Sequence, residues 1–150
     1  MADIKTKEER SRNMSAIHSK DTDPEMYFRK LLFSQGIRYR KNVSYIPGHP
    51  DLYLRKYKTA IFVNGCFWHR HTGCKYAYMP KSRLEFWDNK FKKNKARDEN
   101  VRRELFNAGI RQLVIWECTI RKMKKDADIR RDTIEDVLRF LDSGSSYIEL

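Results

Sequence analysis

The chain has 150 residues and a formal charge of +12, with 32 lysines and arginines against 20 acidic residues. Its length suits one domain, and no apolar run approaches the roughly 18 residues of a membrane span. The polar N-terminus lacks the hydrophobic stretch of a signal peptide, so we expect a cytoplasmic protein. The charge favours a polyanionic partner such as nucleic acid, although a basic but inert surface would have the same composition.

The N-terminal half predicts a basic arm, one helix and three strands. Residues 1–21 are polar and rich in Lys, Arg and Ser, which is typical of an arm, and residues 22–150 follow as a single domain. Thr22 or Asp23 can cap a helix that has Pro24 at its first position and ends before Gly36. Strands are expected over 37–43, 51–54 and 59–64, with a turn at Pro47-Gly48.

The C-terminal half predicts a long helix, a buried strand and a last helix. The capping-box pattern Ser82-Arg83-Leu84-Glu85 opens a helix that ends near Asn107 or Ala108. A strand over 110–117 and an amphipathic helix over 128–141 follow. A strand, a long helix and a strand favour a parallel pair joined by a right-handed crossover, and hence an α/β sandwich of layers.

Three cysteines and a histidine predict a metal site. Cys66, His71 and Cys74 are close in sequence, and Cys118 follows a strand that ends at the same predicted sheet edge. Three thiolates and one imidazole suit a tetrahedral zinc site, whereas ordinary buried thiols and a surface histidine are the alternative. In an extended segment His69 would point away from His71, toward a second site.

Asp51 and Glu25 are candidate acidic residues for that second site. A carboxylate at a strand end beside basic residues is what Mg²⁺-dependent phosphodiester cleavage needs. Most aspartates after proline only terminate turns, and a glutamate in a first helical turn suits the helix dipole. These two residues alone therefore leave catalysis open.

A second set of residues combines aromatic and polar side chains. Trp87, Lys90 and Asn94 share one helix face, at positions i, i+3 and i+7. Phe67-Trp68 lies within the cysteine-containing loop. Core packing of these rings is the alternative to a binding surface.

Short motifs run in order from about residue 10 to residue 122. They are Asn13-Met14, Ala16-Ile17, Asp21-Thr22, Glu25, Pro47-Gly48, Pro50-Asp51, Gly65-Cys66-Phe67-Trp68-His69, Glu85-Phe86-Trp87, Lys93-Asn94, Arg97-Asp98 and Trp116-Glu117-Cys118. In order and in nearly all spacings this series resembles the very-short-patch mismatch repair endonucleases of bacteria. The C-terminal helix carries no part of the resemblance.

The resemblance implies a restriction-endonuclease-like fold, with three α/β/α layers around a central mixed sheet and a structural zinc. It implies an enzyme that nicks duplex DNA on the 5′ side of the thymine in a T:G mismatch, which arises when 5-methylcytosine deaminates. Mg²⁺ is the implied catalytic cofactor. We expect a monomer whose partners are mismatched duplex DNA and an assisting mismatch-repair protein.

The resemblance also implies roles for individual residues at the catalytic centre. Asp51 corresponds to the Mg²⁺-binding carboxylate, the backbone carbonyl of Val63 to the second protein ligand, and Glu25 to an indirect support. His69 corresponds to the residue that activates water. Asn64 stands where the best-known members have histidine, and it can donate a hydrogen bond but cannot shuttle a proton.

For DNA recognition, the resemblance implies an aromatic wedge of Phe67, Trp68 and Trp87 beside the mismatch. The arm, with Met14 and Ile17, would approach from the minor groove, and Lys90 and Asn94 would recognise the mismatched pair. A nuclease with a broader mismatch or restriction-like target keeps the same fold. A module that binds distorted DNA without cutting is the other alternative, in which Asn64 would mark lost chemistry.

Overall fold

The computed structural model describes residues 21–150. Its helices and strands, in chain order, are α1 (Asp23–Ser34), β1 (Arg40–Lys41), β2 (Leu52–Leu54), β3 (Thr59–Asn64), α2 (Leu84–Asn107), β4 (Arg111–Trp116), α3 (Glu117–Lys125), α4 (Ala127–Asp142) and β5 (Tyr147–Glu149). A 3₁₀ turn over Arg55–Tyr57 joins β2 to β3. Within this part of the chain, no helix combines the length and the apolarity needed to cross a bilayer.

Five strands form one mixed sheet in the order β1-β2-β3-β4-β5. β2 pairs antiparallel with β1 and β3, whereas β4 pairs parallel with β3 and β5. The predicted parallel pair is therefore confirmed, and α2 lies in the connection between its two strands. The α/β class and a central mixed sheet are confirmed as well.

Alternating residues of the central strands supply cores on both faces of the sheet. Ile61 on β3 packs into a cluster with residues of α1, α3 and α4, and Leu113 on β4 joins them. Ala60 and Phe62 point to the other face, where α2 contributes Leu105. Because strand side chains alternate in direction, this pattern places three helices on one face and α2 on the other.

The start of α1 agrees with its sequence. Thr22 is the N-cap, and its hydroxyl oxygen accepts a hydrogen bond from the Glu25 N–H at 3.4 Å. The Glu25 carboxylate in turn accepts the backbone N–H of Asp21 at 2.9 Å. This reciprocal pairing satisfies amides that a helix N-terminus leaves open, and it fixes the Glu25 side chain.

Three boundaries differ from the sequence prediction. The strand expected over 37–43 is reduced to Arg40–Lys41, because Asn42 adopts a left-handed φ of 50°. The capping box at 82–85 is wrong, since the N-cap is Arg83, whose φ is 54° and whose side chain makes no capping bond. The strand expected to reach residue 117 ends at Trp116, where α3 begins.

Two short elements were not predicted at all. α3 spans nine residues and β5 only three. The β5 backbone completes the sheet, with Leu150 donating to the carbonyl of Val114 at 2.8 Å. Elements of this length carry too few periodic positions for a pattern to register.

Candidate metal centre and active site

Cys66, His71, Cys74 and Cys118 come together at one edge of the sheet. One ligand atom from each of the four residues lies within 4.8 Å of all the others, a spacing that could hold a metal ion. The first three lie in the loop after β3, and Cys118 lies in the first turn of α3, directly after β4. Because β3 and β4 are parallel, their C-terminal ends meet at this edge, as predicted.

The surroundings of the Cys/His cluster favour metal binding. The ring of His71 stacks on Trp116 with centroids 4.1 Å apart, and its Nδ1 lies 3.4 Å from Sγ of Cys118. Burial lowers the pKa of His71, which keeps the imidazole in the neutral form that ligates metals. Burial also raises the pKa of the Cys66 thiol to about 12, so this thiol becomes a thiolate only beside a compensating cation.

The stacked ring is held from the β5 side of the sheet. Trp116 donates its indole N–H to a carboxylate oxygen of Glu149 at 2.6 Å. The other carboxylate oxygen of Glu149 accepts the hydroxyl of Tyr147 at 2.8 Å. The unpredicted strand β5 therefore supports the surface against which His71 packs.

The loop between Cys66 and Cys74 is a series of tight turns. The His69 N–H donates to the carbonyl of Gly65 at 3.1 Å, and the His71 N–H donates to the carbonyl of Cys66 at 3.0 Å. Arg70 between the two histidines has a φ of 54°. The extended conformation assumed for this segment is therefore wrong, yet the two imidazoles still face different partners.

A pair of carboxylates lies at the same sheet edge. Asp51 immediately precedes β2, and its Oδ2 accepts the backbone N–H of Val63 at 2.7 Å. Glu25 is 5% exposed. Burial raises the pKa of Asp51 from 3.8 to about 7, the Val63 N–H opposes this, and the nearby Glu25 carboxylate raises it further. Two neighbouring buried carboxylates are stabilised by a cation.

His69 lies close to this carboxylate pair, since its positive form would lower the pKa of Asp51. Its Nδ1 is 2.7 Å from Oδ2 of Asp98 on α2. A carboxylate in that position favours the tautomer with the proton on Nδ1, which leaves Nε2 as the basic nitrogen. Sequence reasoning gave Asp98 no role, because its position opposite the loop becomes known only from the fold.

An aromatic cluster, formed by Phe67, Trp68, Trp87 and Phe91, lies beside the loop. The centroid of the Phe67 ring lies 5.2 Å from that of Trp68, 5.5 Å from that of Trp87 and 5.2 Å from that of Phe91. Phe91 is only 4% exposed, whereas Trp68 is 46% exposed. The cluster therefore has a buried base and a solvent-facing tip.

The polar positions of α2 border this tip. Lys90 places its ammonium 6.0 Å from the centroid of the Trp68 ring. Asn94 donates its side-chain N–H to the backbone carbonyl of Trp68 at 3.2 Å. Trp87, Lys90 and Asn94 all contact Trp68, so the shared helix face predicted for them exists.

Arg70 is a second residue that sequence reasoning missed. Its guanidinium donates hydrogen bonds to three backbone carbonyls, those of Phe67, Ala77 and Tyr78. The sequence offered no signal beyond a basic residue between two histidines. Asn64, a candidate residue of the catalytic centre, ends β3 and is paired in register with Trp116. Met14 and Ile17 lie outside the described residues.

Comparison with known proteins identifies relatives for nearly the whole chain. A family model described as DNA mismatch endonuclease Vsr matches residues 2–75. A type II nicking enzyme of Neisseria meningitidis serogroup A is 47% identical over 139 residues, which cover 93% of this chain and 96% of the relative. The DNA mismatch endonuclease Vsr of Escherichia coli K12 is 41% identical over 128 residues, 85% of this chain and 81% of the relative.

A type II nicking enzyme of Xanthomonas oryzae pv. oryzae is 40% identical over 120 residues, which cover 80% of this chain and 88% of the relative. Identity at this level over most of both chains establishes common descent. Together with the carboxylate pair and the Cys/His cluster, it shows that this chain belongs to the Vsr family of DNA mismatch endonucleases.

Proposed function

We propose that the protein nicks duplex DNA on the 5′ side of the thymine in a T:G mismatch, with Mg²⁺, and so initiates very-short-patch repair. The observation that carries this proposal is the position of His69. Its positive form would lower the pKa of the buried Asp51, so the two residues are near enough to interact electrostatically, and His69 directly follows the aromatic residues Phe67 and Trp68 in one loop. A cleavage centre and a base-stacking surface are thus adjacent.

The residues present fit a divalent cation. Asp51 supplies a carboxylate, and Glu25 supplies a second negative charge close by. The Val63 N–H faces Asp51, and the carbonyl of a strand residue points to the same side as its N–H, so the Val63 carbonyl suits the second ligand. When bound, Mg²⁺ neutralises the charge that develops on the scissile phosphate.

His69 acts as the general base in this proposal. Asp98 orients the ring and leaves Nε2 free to take a proton from the attacking water. Asn64, at the end of β3, donates a hydrogen bond to the phosphate but carries no proton to the leaving group. We therefore assign protonation of the leaving oxygen to solvent.

The Cys/His cluster holds a structural zinc in this proposal. Cys66, His71, Cys74 and Cys118 form a closed tetrahedral set, which is typical of sites that brace a fold. The braced loop presents the rings of Phe67 and Trp68. A mismatched base step costs less to unstack than a paired one, so a rigid wedge selects mismatches.

Lys90 and Asn94 border the wedge and suit recognition of the mismatched bases. Both reach Trp68 in the DNA-free protein. On DNA, the amide of Asn94 would exchange its bond to the Trp68 carbonyl for base edges, which present donors and acceptors in the grooves.

We further propose a restriction-endonuclease-like fold for residues 22–150, preceded by a DNA-contacting arm over 1–21 that includes Met14 and Ile17. The net charge of +12 supports contact with the phosphate backbone. We expect a cytoplasmic monomer that acts with a mismatch-repair protein.

The test is nicking of end-labelled duplexes by zinc-loaded protein, with and without added Mg²⁺. One set of duplexes contains a T:G mismatch in several sequence contexts, and a second set contains the other mismatches. Fully matched duplexes are the control. We expect Mg²⁺-dependent cleavage of the T strand on the 5′ side of the mismatched thymine. Equal cutting of matched DNA would favour a restriction-like target, and tight T:G binding without cleavage would favour a binding module.

A further inference from the structure

Arg70 joins two separate segments of the zinc-binding region. Its Nη1 donates to the carbonyl of Phe67 at 3.3 Å and to that of Tyr78 at 3.0 Å, and its Nη2 donates to the carbonyl of Ala77 at 2.9 Å. Three neutral carbonyls thus share one guanidinium. Because the donors of arginine form a rigid planar fork, these bonds fix the relative position of the two segments.

The same guanidinium lies against the base of the aromatic cluster. Its carbon is 4.0 Å from the ring centroid of Phe91 and 5.6 Å from that of Phe67. Phe91 in turn contacts Trp87, with centroids 5.6 Å apart. Arg70 therefore packs beneath the rings whose exposed tip is Trp68.

The backbone of Arg70 has the left-handed φ of 54° that residues with a Cβ rarely adopt. Arg83 has the same φ and also places its guanidinium over a ring, 4.3 Å from the centroid of Phe86. Within residues 21–150, however, the structure records no hydrogen bond from the Arg83 side chain to a backbone carbonyl. Arg83 is thus a natural control that has the strain and the stacking without the three bonds.

We propose that Arg70 is a positioning residue that holds Phe67 and Trp68 in the orientation required to enter a mismatch, an inference that rests on the proposed function. A metal held by the Cys/His cluster would fix the loop backbone at Cys66, His71 and Cys74. Arg70 fixes the side chains that project from the loop between these residues, because it contacts both the backbone carbonyl and the ring of Phe67. Ordering the rings before DNA binds removes an entropic cost from recognition.

The test compares Arg70→Lys with Arg83→Lys in the full-length, zinc-loaded protein. Lysine keeps the charge but has neither the planar fork nor a stacking surface. For Arg70→Lys we expect a half-saturating concentration for T:G nicking that rises about tenfold, with a maximal single-turnover rate within about threefold of wild type. Arg83→Lys should change neither by more than about twofold.

Amide hydrogen exchange of the free protein provides a readout that does not depend on cleavage. Arg70→Lys should speed exchange over residues 67–78, whereas Arg83→Lys should not. Zinc content should stay at the wild-type value in both variants. Arg70→Gly relieves the left-handed strain but also loses the bonds, so it should behave like Arg70→Lys rather than restore activity.

A double-mutant cycle with Phe91→Leu tests the route of the effect. If Arg70 acts through the base of the aromatic cluster, the combined loss in mismatch affinity should be smaller than the sum of the two single losses. Wild-type half-saturation and exchange in Arg70→Lys would overturn the inference, as would loss of zinc from that variant. A wild-type protein that fails to nick T:G duplexes would instead contradict the proposed function, while the exchange result still reports on Arg70.

Discussion

The cysteine-containing loop and the carboxylate pair lie at one edge of the sheet but are held by different kinds of structure. The chain between β3 and α2 contains no helix or strand, and side chains fix it through the Cys/His cluster, Arg70 and Asn94. Asp51 and Glu25, by contrast, adjoin β2 and α1, whose apolar residues belong to the main core.

In the proposed function, this difference separates DNA recognition from phosphodiester cleavage within a small area. Groups that must hold a metal in fixed geometry gain from the regular backbone of a packed sheet. A surface that enters DNA can be carried by an irregular loop if metal ligands and polar side-chain contacts hold the loop in place. His69 belongs to both regions, because its backbone lies in the loop and its positive form would lower the pKa of Asp51.

The largest effect should come from the carboxylate pair. Asp51→Asn removes the negative charge that a divalent cation needs while keeping the shape of the side chain, so nicking of T:G duplexes should fall by about 10³-fold or more. Mismatch binding, measured by gel shift, should stay near wild type. Asp132→Asn, an exposed change on α4, is the control. Retained cleavage by Asp51→Asn would refute the assignment.

Next in size is loss of a metal ligand. Cys118→Ser should reduce bound zinc from about one per chain and weaken mismatch binding by about a hundredfold, because the loop loses its brace. Thr72→Ala changes the same loop without touching the cluster and should keep both. If Cys118→Ser kept its zinc, Cys118 would not be a required ligand. If it lost zinc but bound mismatches normally, the loop would not depend on metal.

Asp98→Asn tests the residue that connects the two regions. The amide no longer fixes the proton on Nδ1 of His69, so nicking should slow by about 10- to 100-fold with little change in mismatch affinity. The measurement is the maximal single-turnover rate as a function of pH. Asp88→Asn, on the same helix and paired with Lys92 at the surface, is the matched control. An unchanged rate would exclude the orienting role.

Gly48→Ala perturbs the turn that leads to Asp51. A Cβ there would lie 2.5 Å from Cγ1 of Val101 on α2, and Gly48 has a φ of +82°. We expect a loss of about 1–3 kcal/mol in unfolding free energy, measured in denaturant. Gly144→Ala, which meets open space and needs no left-handed backbone, should be close to neutral. Equal stabilities would show that the turn adapts without cost.

The smallest expected effect is the pH dependence of magnesium stabilisation. The folded pKa of Asp51 is about 7 against an ordinary 3.8, so the metal-free native state holds a proton that the unfolded chain releases. Its contribution to stability is present at low pH and is lost as pH rises toward 7.

Magnesium requires the ionised carboxylate, so it should raise the melting temperature by a few degrees at about pH 8 and by less at about pH 5.5. The zinc-loaded protein is compared with and without Mg²⁺ at each pH. Asp51→Asn should abolish the difference. A larger shift at the acidic pH would contradict a raised pKa at the metal-binding carboxylate.

Long periodic segments could be read from the sequence. Pro24 and the apolar face after it marked α1, and the buried runs around Ile61 and Leu113 marked the parallel strands. Those runs also placed Cys66 and Cys118 at one edge, because parallel strands end on the same side. The meeting of Cys66 and Cys118 was thus predictable from element order alone.

Other contacts depend on packing between distant segments, for which the local pattern carries no signal. Asp98 faces His69 because α2 crosses the sheet at a particular angle, and Arg70 reaches Tyr78 because the loop folds into turns instead of extending. The left-handed Arg83 displaced the expected capping box. The His69–Asp98 pair in particular exists only after the loop and α2 have packed together.

The sequence by itself therefore determined the α/β class, the parallel pair, the residues of the Cys/His cluster and the family. The tertiary structure decided which carboxylate pairs with His69, which guanidinium packs against the aromatic cluster, and that Asp51 lies close enough to Glu25 for its pKa to rise. The physical reason is the distance along the chain between the residues that interact. Periodicity and ligand spacing are properties of short segments, whereas burial and charge proximity depend on residues far apart in the chain.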